Sequence, residues 1–213
     1  LISNEYATAV IWTQDNHEII TASSVENSKL SIWDANTGDL IQSFDSGTTV
    51  QMRWSPDYRQ LAVANPGGIG FRDGKTLEHI QFLENPELGG QGYDDYTLAW
   101  NSDSSQITSG KLNGMLRTWN VAQGEIVSTL AASKLEELAF TNSLITALIY
   151  INQDNELISV RADGIVYRLS ARTGRVVAQA HLNDSAYAAA FSPNNSYLAY
   201  GSNGTEIQIL SLS

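Results

Sequence analysis

Arg53 is the residue of this chain whose type and place most invite chemistry. It interrupts an apolar run, at a point where comparable runs carry Ile11, Ala99, Tyr150 and Ala190. A guanidinium there suits an anionic ligand or a partner's carboxylate. An ion pair with one of the chain's own acids is the plainer alternative. Tyr150, at the matching place, is a binding candidate beside it. A second group falls in residues 84–95 (ENPELGGQGYDD), the longest irregular stretch, with three glycines, four acids and a tyrosine. Glu87, Tyr93, Asp94 and Asp95 are its binding candidates, because long loops on rigid scaffolds commonly carry function. The competing reading is a solvated insertion.

Two other clusters have suggestive types and weak spacing. His181, Asp184 and Ser185 are triad residue types, but a triad is defined by geometry, and sequence neighbours rarely form one. Residues 152–156 (NQDNE) are rich in oxygen ligands, yet lack the central glycine and spacing of a calcium loop. Asn183, Asn194 and Asn203 begin glycosylation sequons, which arise easily in a chain this rich in Asn and Ser. No residue set demands catalysis, a metal or a cofactor, so none is expected.

These residues must be held by something, and the composition bounds it. The chain has 213 residues, 42 % of them hydrophobic, which allows one large all-β domain or two small ones. It has no cysteine, which excludes disulfides, thiolate metal sites and cysteine nucleophiles. Its net charge of −11 argues against a nucleic-acid backbone as partner, since that binding needs clustered Lys and Arg. There is no apolar run of about 18 residues to span a membrane as a helix. The chain opens at Leu1 without an initiator Met or signal-like stretch, as a domain cut from a longer chain would.

The positioning elements repeat. Trp12, Trp54, Trp100, Ile151 and Phe191 each end an apolar run and precede a polar turn, at intervals of 42, 46, 51 and 40 residues. The turns read WTQDN, WSPDY, WNSDS, INQDN and FSPNN. A period of this size marks a propeller or solenoid. Each unit continues with two or three more β-rich runs separated by Gly, Asn and Asp turns, such as DANTG at Asp34 and DGK at Asp73. The units span about 1–44, 45–83, 84–130, 131–181 and 182–213, and the last lacks its fourth run. Helical period is nearly absent; residues 133–139 (SKLEELA) alone suggest a short helix with a capping box.

At these residues the chain resembles the WD-repeat family of β-propellers. The signature is clearest at Leu30-Ser31-Ile32-Trp33-Asp34 and Leu116-Arg117-Thr118-Trp119-Asn120, with Arg53-Trp54-Ser55-Pro56-Asp57 and Ala190-Phe191-Ser192-Pro193-Asn194 also typical. A weaker likeness to quinoprotein-type propellers rests on residues 166–174 alone. The resemblance implies an all-β fold of four-stranded antiparallel blades, five units here, as a small closed ring or as part of a larger ring, seven blades being the commonest size. It departs from the family in the third-strand Trp, replaced by Phe71, Leu169 and Ile209 or Leu210, and in the missing Gly-His dipeptide. Little of the family's Trp–Ser–His–Asp hydrogen-bond network is then expected, so burial of Trp12, Trp54, Trp100, Ile151 and Phe191 must hold the blades. The implied function is a non-catalytic scaffold for another protein or peptide. The alternative is a sugar-binding or hydrolytic propeller working through the central channel.

Overall fold

The computed structural model describes residues 7–23, 28–65, 67–86, 95–111, 114–130, 144–202 and 206–212. The expected helix at 133–139 lies outside them. The chain divides into two compact units, Leu1–Asp95 and Tyr96–Ser213. All regular structure among the described residues is strand.

The first unit holds two meander sheets. Blade 1 is β1 (Ala7–Trp12), β2 (Glu18–Ser23), β3 (Lys29–Asp34) and β4 (Leu40–Asp45). Blade 2 is β5 (Gln51–Trp54), β6 (Gln60–Asn65), β7 (Gly68–Asp73) and β8 (His79–Glu84). The second unit holds three. Blade 3 is β9 (Asp95–Trp100), β10 (Gln106–Lys111), β11 (Leu116–Asn120) and β12 (Glu125–Leu130). Blade 4 is β13 (Ile145–Ile151), β14 (Glu156–Arg161), β15 (Ile165–Ser170) and β16 (Val176–His181). Blade 5 is β17 (Ala188–Phe191), β18 (Tyr197–Gly201) and β19 (Ile207–Ser211), three strands with no fourth among the described residues, as expected.

The turns repeat because side chains cap them. In the first turn of four blades a carboxylate or amide oxygen accepts from a side chain two residues before it and a backbone N–H two residues after. Asp15 takes Thr13 and His17, Asp57 takes Ser55 and Arg59, Asp103 takes Asn101 and Ser105, and Asn194 takes Ser192 and Ser196, all at 2.7–3.2 Å. Asn16, Tyr58, Ser104 and Asn195 then turn through positive φ. In the turn before the fourth strand, Asp34 Oδ1 accepts from Asn36 and Thr37, and Asp73 Oδ1 from Lys75 and Thr76. Gly74 is required there by space: a Cβ would lie 2.1 Å from the Tyr58 carbonyl oxygen.

Alternation gives each sheet two faces. The near flank is the face that blade 2 turns to blade 1, blade 4 to blade 3 and blade 5 to blade 4; the opposite face is the far flank. Between blades 1 and 2, Ile20, Ala22, Leu30 and Ile32 of the far flank pack on Met52, Leu61 and Val63 of the near flank. Blades 3 and 4 meet through Ala99 and Leu116 against Leu148, Tyr150, Leu157 and Leu169. Blades 4 and 5 meet through Ile158, Val160 and Val166 against Leu198 and Tyr200, with Phe191 and Leu210 at the margin. Each fully buried side chain of this size contributes roughly 1.5–3 kcal/mol.

The register corrects two sequence expectations. Trp12 faces Ile19, Trp54 faces Leu61 and Phe191 faces Leu198, but it is Tyr150, not Ile151, that faces Leu157. Matching INQDN to WTQDN slid the fourth unit by one residue, and a one-residue slip in a strand exchanges its faces. The third-strand position of Trp33 is taken in blade 2 by Arg72, not Phe71: Trp33 faces Ile19, and Arg72 faces Leu61. In blade 5 it is taken by Leu210, which faces Leu198. The expectation that five repeated aromatic or aliphatic residues carry the burial is also corrected. Trp100 is buried and Trp54, Ile151 and Phe191 are partly so, whereas Trp12 is half exposed.

Candidate functional site

Glu87, Tyr93 and Asp94 lie outside the described residues, as does the side chain of Asp95, whose backbone opens β9. Arg53, in the first unit, and Tyr150, in the second, are described, and the register gives them different roles.

Arg53 faces Ala62, as Ile11 faces Ile20, so it lies on the far flank of blade 2; the matching residue of blade 4 is Ile149. Its side chain keeps exposed surface, while desolvation by the surrounding protein holds its pKa below the ordinary value. It remains a cation. Tyr150 is a near-flank residue. It is buried, and its hydroxyl lies 2.6 Å from Thr108 Oγ1, which lies 2.7 Å from Thr118 Oγ1. Burial raises the phenol's pKa. This hydroxyl chain ties blade 4 to blade 3.

The weaker clusters resolve into turns. The His181 ring meets Gln179, and Asp184 accepts from the Ser185 backbone, so no triad forms. In 152–156, Asn152 donates to Glu156 while Asp154 accepts from Ser102 of blade 3. These oxygens do not converge on a cation. Among the described residues no group of three His, Asp or Glu side chains is arranged to hold a metal. No described helix is long and apolar enough to cross a membrane.

The first unit instead carries a groove that the sequence reading missed. It encloses about 820 Å3 beside the β4–β5 link and β7–β8. Arg72 forms its floor: Nη1 donates to the Leu77 carbonyl at 3.0 Å, Nη2 to the Asp45 carbonyl at 2.8 Å, and the guanidinium stands 5.7 Å from the Phe44 ring centre. Desolvation lowers its pKa. Asn65 Nδ2 donates to the Ser46 and Thr48 carbonyls and fixes the link. The rings of Phe44 and Phe82 line the walls, and Asp45, Glu78 and His79 stand exposed at the rim. The signal was present: Arg72-Asp73 stands before the DGK turn as Trp33-Asp34 stands before DANTG.

Blade 1 also keeps one leg of the expected network, with Trp33 Nε1 donating to Thr21 Oγ1 at 2.8 Å. The matching atoms of blade 3, Trp119 Nε1 and Ser109 Oγ, are buried without a hydrogen-bond partner among the described residues.

Four-stranded meanders with this flank-to-flank packing define a β-propeller. The β-propeller domain of Cps50 (Swd1) from Myceliophteria thermophila matches the whole chain with a TM-score of 0.78 at 12 % identity, over 67 % of that chain. No family model matches the sequence. WD repeat-containing protein 1 of Gallus gallus is 36 % identical over 81 residues, 37 % of this chain and 13 % of that protein. THO complex subunit 3 of Arabidopsis thaliana is 25 % identical over 137 residues, 64 % of this chain and 42 % of that protein. The chain thus spans less than half the length of either relative. The fold is a β-propeller, and a stretch of the sequence is similar to a WD-repeat protein.

Proposed function

We propose that the chain is a non-catalytic scaffold that docks another protein or a peptide, and that the groove of the first unit is one docking place. The observation that carries this is the pairing of two phenylalanine walls with an exposed acidic rim at Asp45 and Glu78, in a chain of net charge −11. Aromatic walls desolvate an apolar anchor, and rim charge selects the sign of the partner and speeds its encounter. The favoured ligand is an extended segment with an apolar side chain beside a Lys or Arg. Arg53 and the acidic 84–95 loop, with Glu87, Tyr93, Asp94 and Asp95, are proposed as further partner contacts. A relative named as a complex subunit agrees with a working life inside an assembly.

Fluorescence anisotropy with a peptide panel varied in charge and apolar content tests this. Basic, apolar-anchored peptides should bind saturably. Phe82→Ser should weaken them at least about tenfold, with an unchanged melting temperature, since Phe82 is exposed. Equal binding of acidic peptides, or indifference to Phe82→Ser and Glu78→Lys, would count against the groove.

A further inference from the structure

A cleft of about 560 Å3 lies between the first turns of blades 1 and 2, lined by Gln14, Trp54, Tyr58 and Arg59 together with residues 73–75 of the β7–β8 turn. Ordinary small-molecule sites enclose about 300–1,000 Å3. The first turns of blades 3 and 4 are tied together instead: Asp154 accepts from the Ser102 backbone N–H at 2.9 Å and from the Ser102 hydroxyl.

Tyr58 is an unusual residue for its turn. It takes a φ of +56°, at a position held in blades 1, 3 and 5 by Asn16, Ser104 and Asn195 at +57° to +63°. Asparagine tolerates this left-handed region, whereas a bulky ring there is an outlier, and such outliers gather where a ligand is held. The Tyr58 ring is 39 % exposed and stands 5.9 Å from that of Trp54, tilted by 36°. Its surroundings are fixed. Trp54 Nε1 donates to the Trp12 carbonyl at 2.8 Å, and the Gly74 N–H donates to the Arg59 carbonyl at 2.7 Å. The aromatic walls are therefore set before any ligand arrives.

The polar groups decide which ligand fits. Asp57 and Asp73 are balanced by Arg59 and Lys75, so the cleft has no net charge in a chain of net charge −11. Asp73 spends Oδ1 on its own turn and keeps Oδ2 as an acceptor. The exposed Gln14 amide brings both a donor and an acceptor, and Arg59 brings donors. Aromatic faces beside such a balanced set suit a molecule with an apolar C–H face and a rim of hydroxyls. The C–H groups rest on the electron-rich ring faces, and each hydroxyl both donates and accepts.

We propose that this cleft binds a neutral saccharide, stacked on Tyr58 and Trp54, with its hydroxyls held by Gln14, Asp73 and Arg59. The cleft shares no lining residue with the phenylalanine groove, so the two sites stand or fall separately.

The test is titration calorimetry and saturation-transfer NMR of the 213-residue chain with maltose, cellobiose and N,N′-diacetylchitobiose. At least one should bind saturably, with saturation reaching its C–H protons. Tyr58→Asn restores the residue type of blades 1 and 5, so it should keep or raise the melting temperature while weakening binding at least about tenfold. Gln14→Ala should weaken binding a few-fold, and Phe82→Ser in the groove should leave it unchanged. Should Tyr58→Asn lose structure, the exposed pair Gln14→Ala, Arg59→Gln takes its place, with the same tenfold loss expected. Failure of all three disaccharides to bind would overturn the proposal. So would a sulfated disaccharide that binds more tightly than any of them. Binding that survives Tyr58→Asn while the melting temperature falls would assign the ring to packing on Trp54 and overturn it as well.

Discussion

The blade junction of the first unit and the first junction of the second unit solve one packing problem by different chemistry. Between blades 1 and 2, the place of Trp33 in blade 2 is held by Arg72, a buried cation that donates to the carbonyls of Asp45 and Leu77. Between blades 3 and 4 the same place in blade 4 is held by Leu169, inside an apolar cluster, and the polar link comes from the Tyr150–Thr108–Thr118 chain. What the fold demands is a filled position, not a particular residue, and at these two junctions the polar groups named find partners. Arginine is tolerated because two carbonyls stand where its fork reaches.

The comparison breaks most visibly by moving the cation. Leu169→Arg places a charge where an apolar cluster stands, and should cost more than about 3 kcal/mol in urea unfolding of the second unit. If it is tolerated as Arg72 is, the junctions are interchangeable and the contrast fails. The reverse change, Arg72→Leu, should cost about 1–3 kcal/mol, because the buried Leu77 carbonyl and the partly buried bond at the Asp45 carbonyl lose their donors. A neutral result would show that the guanidinium contributes nothing net to its junction.

A smaller contrast sets blade 1 against blade 3. Thr21→Val removes the acceptor of the Trp33 indole and should destabilise by about 0.5–1.5 kcal/mol. Ser109→Ala removes a hydroxyl buried without a partner among the described residues, and should be neutral or stabilising. Equal losses would erase the distinction.

Acid should act weakly and on both units. Asp15, Asp34, Asp73, Asp103 and Asp184 all have pKa values lowered by hydrogen bonds to their carboxylates in turns. A carboxylate with a folded pKa below its unfolded one adds stability that is present above the unfolded value, near 4, and lost as pH falls through the folded one. Melting temperature should therefore hold above about pH 5 and decline below about pH 4. Asp34→Asn, which keeps an acceptor, should make the decline shallower.

Much of the fold was legible because period and turn chemistry are local. The meanders, the turn caps at Asp15, Asp57 and Asp103, and the three described strands of blade 5 all follow from short-range patterns. The errors lay where two local signals conflicted. INQDN looks like WTQDN, yet pairing puts Tyr150 opposite Leu157, and only the cross-strand partner reveals which face a residue takes. Arg72 escaped notice because a charge reads as surface, although a guanidinium with two carbonyls and a ring to meet can be buried. The groove needed Phe44 and Phe82 brought together from β4 and β8, which no sequence interval announces.

Cross-strand position, not residue type, decides which side chains join the blades, and Tyr150 occupies the joining position of blade 4. A double-mutant cycle of Tyr150→Phe and Thr108→Val, followed by urea unfolding, tests it most directly. The two hydroxyls should couple by about 1 kcal/mol. Strictly additive effects, with a larger loss for Ile151→Ala than for Tyr150→Ala, would contradict it.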